Sequence, residues 1–197
     1  MTPGSSFNFD TFIADIRNVF ATTEDSRAQA QSVAKHMKEL LAVPGWLEEK
    51  ADLKLETGSN RATLYVDKEY GHPGPGFLVM CSLQTPSVTP GLGGVTPHDH
   101  GASWVVYGVY KGAIKQTKFR WVMPDGDITS PTLQESDQFV QQTGDVAFFM
   151  PGEIHHTGTA SDDPALILRV EGQRLDQVIR HRYQLPDGAS TLVTSVA

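Results

Sequence analysis

The sequence predicts an all-β protein, a closed double-sheet barrel of the jelly-roll type with two N-terminal α-helices packed outside. Three observations carry this expectation. Apolar residues recur at helical spacing in the first 45 residues. From about residue 61 the apolar runs become short and β-rich. Proline–glycine turn clusters separate those runs, with no helical pattern between them.

The first helix is read from Phe9, Phe12, Ile13, Ile16, Val19 and Phe20, which fall on one stripe at 3.6-residue periodicity. A second is expected to start near Thr22, with Asp25 three residues on in a capping-box pattern. Val33, Met37, Leu40 and Leu41 would be its buried face, and Pro44-Gly45 its stop. Strands are expected in residues 77–80, 103–110, 114–122, 146–150, 165–170 and 176–183. Turn chemistry at 73–76, 90–91, 124–126 and 186–188 punctuates them. With no internal repeat and no linker, residues 1–197 are read as one domain, helical over 1–45 and a barrel over 60–185.

Composition narrows the function classes. A chain of 197 residues can bury a real core, and 39% hydrophobic with 20% charged residues marks an ordinary globular protein. The net charge of −7, without a Lys/Arg run, argues against a nucleic-acid partner and against anionic membrane surfaces. No apolar stretch is long enough to span a bilayer, and Met1-Thr2-Pro3-Gly4 opens no secretory signal. One cysteine, Cys81, leaves no internal disulfide to form, so a reducing cytoplasmic setting is expected, with Cys81 a buried small hydrophobe.

The chemistry is carried by histidines. His98 and His100 stand two apart, and on a strand residues i and i+2 face the same side, so both imidazoles can meet one metal while Asp99 points away. A third ligand is expected from Pro151-Gly152-Glu153-Ile154-His155, with the adjacent His156 as the alternative if the register differs. Three neutral imidazoles suit iron, zinc, copper or nickel and leave open positions for substrate. The bland alternative makes His98 and His100 polar loop residues.

Residues 93–112 and then Gly144-Asp145 through His155 resemble the two motifs of the cupin superfamily. The first motif normally carries a glutamate, and that position here is Val105, which resembles the three-histidine branch of cysteine dioxygenase and related thiol dioxygenases. The order of Arg61-Ala62-Thr63-Leu64, then 77–81, then His98-Asp99-His100 is similar to theirs. The resemblance implies metal ligation by His98, His100 and His155, with Fe(II) the expected metal and Zn, Mn or Ni the alternatives. It implies dioxygen and a small acidic thiol as substrates, and Arg61 as the anchor of the acidic group. The resemblance has limits. The family's Ser-x-His-x-Tyr triad is absent at Ile167-Leu168-Arg169-Val170-Glu171, Thr159 stands where an asparagine is usual, and Val105 rules out a cysteine–tyrosine crosslink. These departures argue against L-cysteine itself as substrate.

Several side chains keep two readings. Arg169 either holds substrate or pairs with Glu171 on the same strand face. His181 and Tyr183 either replace the missing triad or belong to an exposed edge strand, with Arg180 and Arg182 on the opposite face. Trp104 and Tyr107 either wall the site or fill the core, and Glu153 is expected as a solvated turn carboxylate. Other classes remain: a cupin isomerase, lyase or carbon-substrate dioxygenase, or a non-catalytic ligand binder. A homodimer through edge strands is a further expectation.

Overall fold

The computed structural model describes residues 7–50, 61–85, 96–123, 132–184 and 191–195. Gly93 and the turns at 90–91, 124–126 and 186–188 lie outside them. Helix α1 (Phe9–Thr22) is capped by Asn8, whose side chain accepts from the Thr11 amide. It buries Phe9, Phe12, Ile13, Ile16 and Val19, the stripe read from the sequence, with Phe20 half-buried against the same core. Helix α2 (Ser26–Leu41) starts four residues later than expected. Thr22 is not its cap but the last residue of α1, its hydroxyl donating to the Asn18 carbonyl at 2.7 Å. Asp25 is itself the cap and accepts from the Ala28 amide at 2.7 Å, satisfying a donor the helix leaves open. Beyond Pro44-Gly45 a short third helix, α3 (Trp46–Lys50), adds Trp46 and Leu47 to the core, so the expected pair of helices is in fact three.

The strands are β1 (Arg61–Val66), β2 (Leu78–Gln84), β3 (Val105–Lys111), β4 (Ala113–Val122), β5 (Thr132–Gln142), β6 (Val146–Phe149), β7 (Ile154–Thr159), β8 (Ala165–Glu171), β9 (Arg180–Gln184) and β10 (Thr191–Ser195). One antiparallel sheet has the order β1-β2-β8-β3-β6 and a second the order β5-β4-β7. The second sheet continues through His98, which bridges to His155 of β7 on one side and to Arg182 of β9 on the other. The chain crosses between sheets from β2 to the His98 segment, from β3 to β4, from β5 to β6 and again from β7 to β8. That alternation is the jelly roll, a double-stranded β-helix.

Period-two alternation divides the first sheet's side chains between two apolar layers. Val79, Cys81, Val106, Leu168 and Val170 face the helices. Val105, Tyr107, Val109 and Ile167 face inward and meet Ile114 and Phe149 inside the barrel. Two expectations are corrected here. Residues 176–183 do not form one strand: a 3-10 turn at Leu175–Gln177 comes first, because the Glu171 carboxylate accepts from the Leu175 amide at 2.8 Å and bends the chain. Strand β5 was not anticipated, since most of its side chains are polar and exposed at a sheet edge. No described helix is long and apolar enough to cross a membrane.

Candidate metal centre

Strand pairing sets the site. The His98 and His155 amides each donate to the other's carbonyl at 2.9 Å, so the two residues lie side by side on neighbouring strands. His100 follows His98 by two and points the same way. One nitrogen from each of His98, His100 and His155 lies within 4.8 Å of the others, and all three residues are buried. His156, the alternative ligand, is next along β7 and half-buried, and it is not part of this cluster.

Second contacts orient the rings. Two of the Nδ1 atoms meet acceptors: that of His98 stands 3.1 Å from the Thr96 carbonyl, and that of His155 3.1 Å from Gln116 Oε1. Both acceptors fix the proton on Nδ1 and leave Nε2 as a free lone pair. Gln116 is held in turn: its amide nitrogen donates to Gln141 Oε1 at 3.0 Å, and its oxygen also accepts from Thr157 Oγ1 at 2.8 Å. Phe149 stacks on His155 with ring centroids 3.9 Å apart, which locks the imidazole from below.

The donor set fits a divalent metal. His155 Nε2 and His100 Nε2 are 3.3 Å apart. Two nitrogens about 2.1 Å from one ion at a tetrahedral angle stand about 3.4 Å apart. All three imidazoles are kept neutral, as ligation requires. Burial first, with weaker help from nearby cations, pushes His98 down to about 4. The same burial and the mutual proximity of the rings hold His100 and His155 well below the usual histidine range. Val105, at the position where the resemblance implied a glutamate, is buried among apolar side chains, and among the described residues no carboxylate joins the cluster.

Two predictions arise here. Gln116→Leu removes the acceptor that orients His155, and metal affinity should fall about 10–100-fold in a competition titration. An unchanged affinity would remove Gln116 from the account. In the metal-free protein His98 is neutral when folded, so unfolding takes up a proton below the ordinary histidine value of 6.5. Its stabilisation is therefore complete above pH 6.5 and is lost as pH falls toward 4, about 2 kcal/mol by pH 5. Urea midpoints measured at pH 7 and pH 5 should differ accordingly, and equal midpoints would contradict the buried neutral ring.

A cavity opens on the cluster at His98, bordered by Tyr107 and by Arg61, Arg169, Arg180 and Arg182. The structure thus brings Arg61 and Arg169 beside the histidines. Arg169 borders the cavity and is ion-paired to Glu171, the pairing that one of its two sequence readings expected. Burial acts against its charge, but Glu171 and Tyr107 outweigh that and hold the guanidinium above its ordinary range. Tyr107 borders the site, its hydroxyl 3.3 Å from His100 Nε2, while Trp104 is core, its indole N–H donating to Gln29 Oε1 at 3.1 Å.

His181 and Tyr183 do not border the cavity. They face the other side of β9 and grip Asp99, His181 Nδ1 at 3.0 Å and the Tyr183 hydroxyl donating at 2.7 Å. Strand alternation explains the difference: pinning these two to Asp99 turns Arg180 and Arg182 toward the cavity, with Arg182 exposed at its rim. Sequence reasoning noted that pair of arginines on one face but placed the chemistry on the other. Glu153 accepts from the Met150 amide at 2.6 Å and pairs with Lys118 at 3.4 Å, as a turn carboxylate.

No protein-family model matches the chain, and no curated protein matches it. Among solved structures it is similar to an uncharacterized conserved protein with a double-stranded β-helix domain from Klebsiella pneumoniae. The identity is 12%, covering 76% of this chain and 89% of that one, with a TM-score of 0.43. It is similar to KdgF from Halomonas sp. at 15% identity, 66% and 95% coverage and a TM-score of 0.42. A recombinant oxalate oxidase in complex with glycolate matches at 16% identity, 59% and 52% coverage and a TM-score of 0.38. Strand order and the His98 bridges make this chain a double-stranded β-helix, with a buried three-histidine cluster able to hold a metal ion.

Proposed function

We propose that this chain is a metal-dependent enzyme for a small anionic substrate, and that it oxygenates an acidic thiol to a sulfinate with iron(II) as the resident metal. The observation that carries the reading is the juxtaposition of three neutral, converging imidazoles with a cavity walled by arginines. His98, His100 and His155 would hold the ion. Because all three ligands are neutral, the full divalent charge stays available to an anion entering the cavity, and a thiol is favoured as thiolate. Bound iron supplies a common site at which thiolate and dioxygen meet, in the overall change RS⁻ + O₂ → RSO₂⁻.

The chain's own residues position the reactants. Arg61 and Arg169 are placed to hold an acidic group by charge-assisted hydrogen bonds. Burial raises the Tyr107 phenol above its ordinary range against the pull of Arg169, so its hydroxyl stays protonated and available as a donor at the cavity wall. Phe149 and the buried barrel interior keep bulk water from the far side of the rings.

The test is iron(II) reconstitution under anaerobic conditions, then oxygen uptake against a panel of thiols. Thiol-dependent uptake with sulfinate as product is the expected result. In that assay Arg61→Ala should raise KM for an acidic thiol about tenfold while leaving cysteamine within about twofold. Equal effects on both substrates would take Arg61 out of substrate binding.

One observation favours a second reading. The same histidines suit manganese, zinc or nickel, and an arginine-walled cavity accepts a carboxylate whether or not it carries sulfur. Tightly bound zinc or manganese without oxygen uptake would move the assignment to carbon chemistry.

A further inference from the structure

Among the described residues Tyr107 is the one phenol bordering the cavity at the histidines. It is buried, and its ring is held on two sides, edge-on to Phe149 and tilted against His155. The hydroxyl is thereby fixed 3.3 Å from His100 Nε2. His155 Nε2 stands at the same distance from that atom, so the phenol oxygen is as near to it as a fellow ligand is.

This contact does not survive metal binding. A nitrogen whose lone pair is given to an ion has neither a hydrogen to donate nor a lone pair to accept with. The bond between Tyr107 and His100 is lost whichever way it ran. Among the described residues no other acceptor lies within hydrogen-bond distance of the hydroxyl. Its cross-strand neighbour on β8 is Arg169, and a guanidinium donates but never accepts. The oxygens of Glu171 are taken by Arg169 and the Leu175 amide. A buried O–H without an acceptor is costly, so the metal-loaded chain holds a donor that an incoming ligand can satisfy. The cavity beside it, about 60 Å³ in volume, has room for a ligand of a few atoms.

We propose that Tyr107 binds the exogenous ligand of the metal centre, its hydroxyl donating to the ligating atom of a small oxygen- or nitrogen-donor ligand in this cavity. Sulfur is a weak acceptor. Where a thiolate and an oxygen or nitrogen donor share the ion, the thiolate belongs away from Tyr107. This rests on the metal centre described under Proposed function and adds the residue that selects which ligand stands where. Because the phenol touches the incoming ligand and does not orient His100, its loss weakens that ligand and spares the metal.

The test loads wild type and Tyr107→Phe with cobalt(II) and titrates each with azide and, separately, with ethanethiol, read by visible absorption. The substitution keeps the ring and removes one oxygen, so the circular dichroism spectrum should be unchanged and cobalt affinity should stay within about twofold. Azide should bind the variant about tenfold more weakly or worse, the loss expected for a hydrogen bond to a charged acceptor. Ethanethiol should bind both within about twofold, because its sulfur accepts poorly. Tyr110→Phe, on the same strand but turned to Glu48 of α3, should bind azide as wild type does. Azide affinity that survives Tyr107→Phe, an equal loss for azide and ethanethiol, or a loss of cobalt affinity as large as that of azide would overturn the proposal. So would a tyrosinate charge-transfer band on loading with iron(III) that disappears in Tyr107→Phe, since the phenol would then be a ligand itself. Azide binding involves no oxygenation, which separates the two claims. The azide effect without thiol-dependent oxygen uptake by the iron(II) protein would sink only the oxygenation. Uptake without the azide effect would sink only the role of Tyr107.

Discussion

Replacing His155 with alanine should abolish stable metal binding, while replacing the adjacent His156 should leave it unchanged. The contrast is sharp because the two residues differ only in which face of β7 they occupy. His155 is fully buried, with one nitrogen fixed by Gln116 and the other 3.3 Å from His100. Removing it leaves two ligands, the oxygen of Gln116 without one of its partners, and a void against Phe149. Loss of an orienting contact alone costs about 10–100-fold in metal affinity, so loss of the ligand itself should exceed about 100-fold. His156 is half-buried and turned toward Lys115 and Glu135 on the outer face of the sheet. His156→Ala should bind metal within about twofold of wild type. Equilibrium dialysis followed by elemental analysis reads both. Equal loss in both variants would mean that the register of β7 differs from the one described.

The largest expected effect on stability comes from Gly101→Ala. Gly101 has φ of +59°, where a side chain is costly by about 1–2 kcal/mol. A Cβ there would also meet the Ile179 carbonyl oxygen at 2.0 Å and Val178 Cγ1 at 2.7 Å. The nearer atom is backbone and cannot rotate aside, so the 178–179 segment must move, and it leads directly into β9. Overpacking of this kind adds about 1–3 kcal/mol. A total of about 3 kcal/mol or more should lower Tm by about 6–12 °C in a chain of this size. Displacing 178–179 should also withdraw Arg180 and Arg182 from the cavity and loosen the grip of His181 and Tyr183 on Asp99. Gly152→Ala is the control: its φ is +76°, but nothing stands within 4 Å of a Cβ there. It should cost only the conformational term. Equal Tm values for the two variants would remove the close approach at Ile179 from the account.

What could be read from the sequence followed from patterns that burial imposes locally. The stripes of α1 and α2 were visible because each helix buries one face against the first sheet. The His98–His100 spacing was visible because alternation on an extended segment forces both rings to one side. Pro151-Gly152 before His155 marked the turn that starts β7. What was missed depends on contacts across strands. Gln116 looks like any polar residue of an amphipathic strand, and only the β4–β7 register brings it to His155. Strand β5 has too few apolar side chains to announce itself. The start of α2 was misplaced because Thr22 and Asp25 both suit a cap, and only the hydrogen bonds distinguish them. The role of His181 and Tyr183 was misplaced for a similar reason. Alternation correctly divided them from Arg180 and Arg182, but which face met the cavity was decided by Asp99, 82 residues away from His181.

Cobalt(II) titration of the metal-free protein, followed by visible absorption, tests the central claim most directly, because the d–d bands report the ligand set as well as the stoichiometry. The bands should appear on the first addition and saturate at one equivalent per chain. They should be absent in His155→Ala. A folded wild-type chain that develops no bands, or that develops them equally without His155, would contradict a three-histidine metal centre.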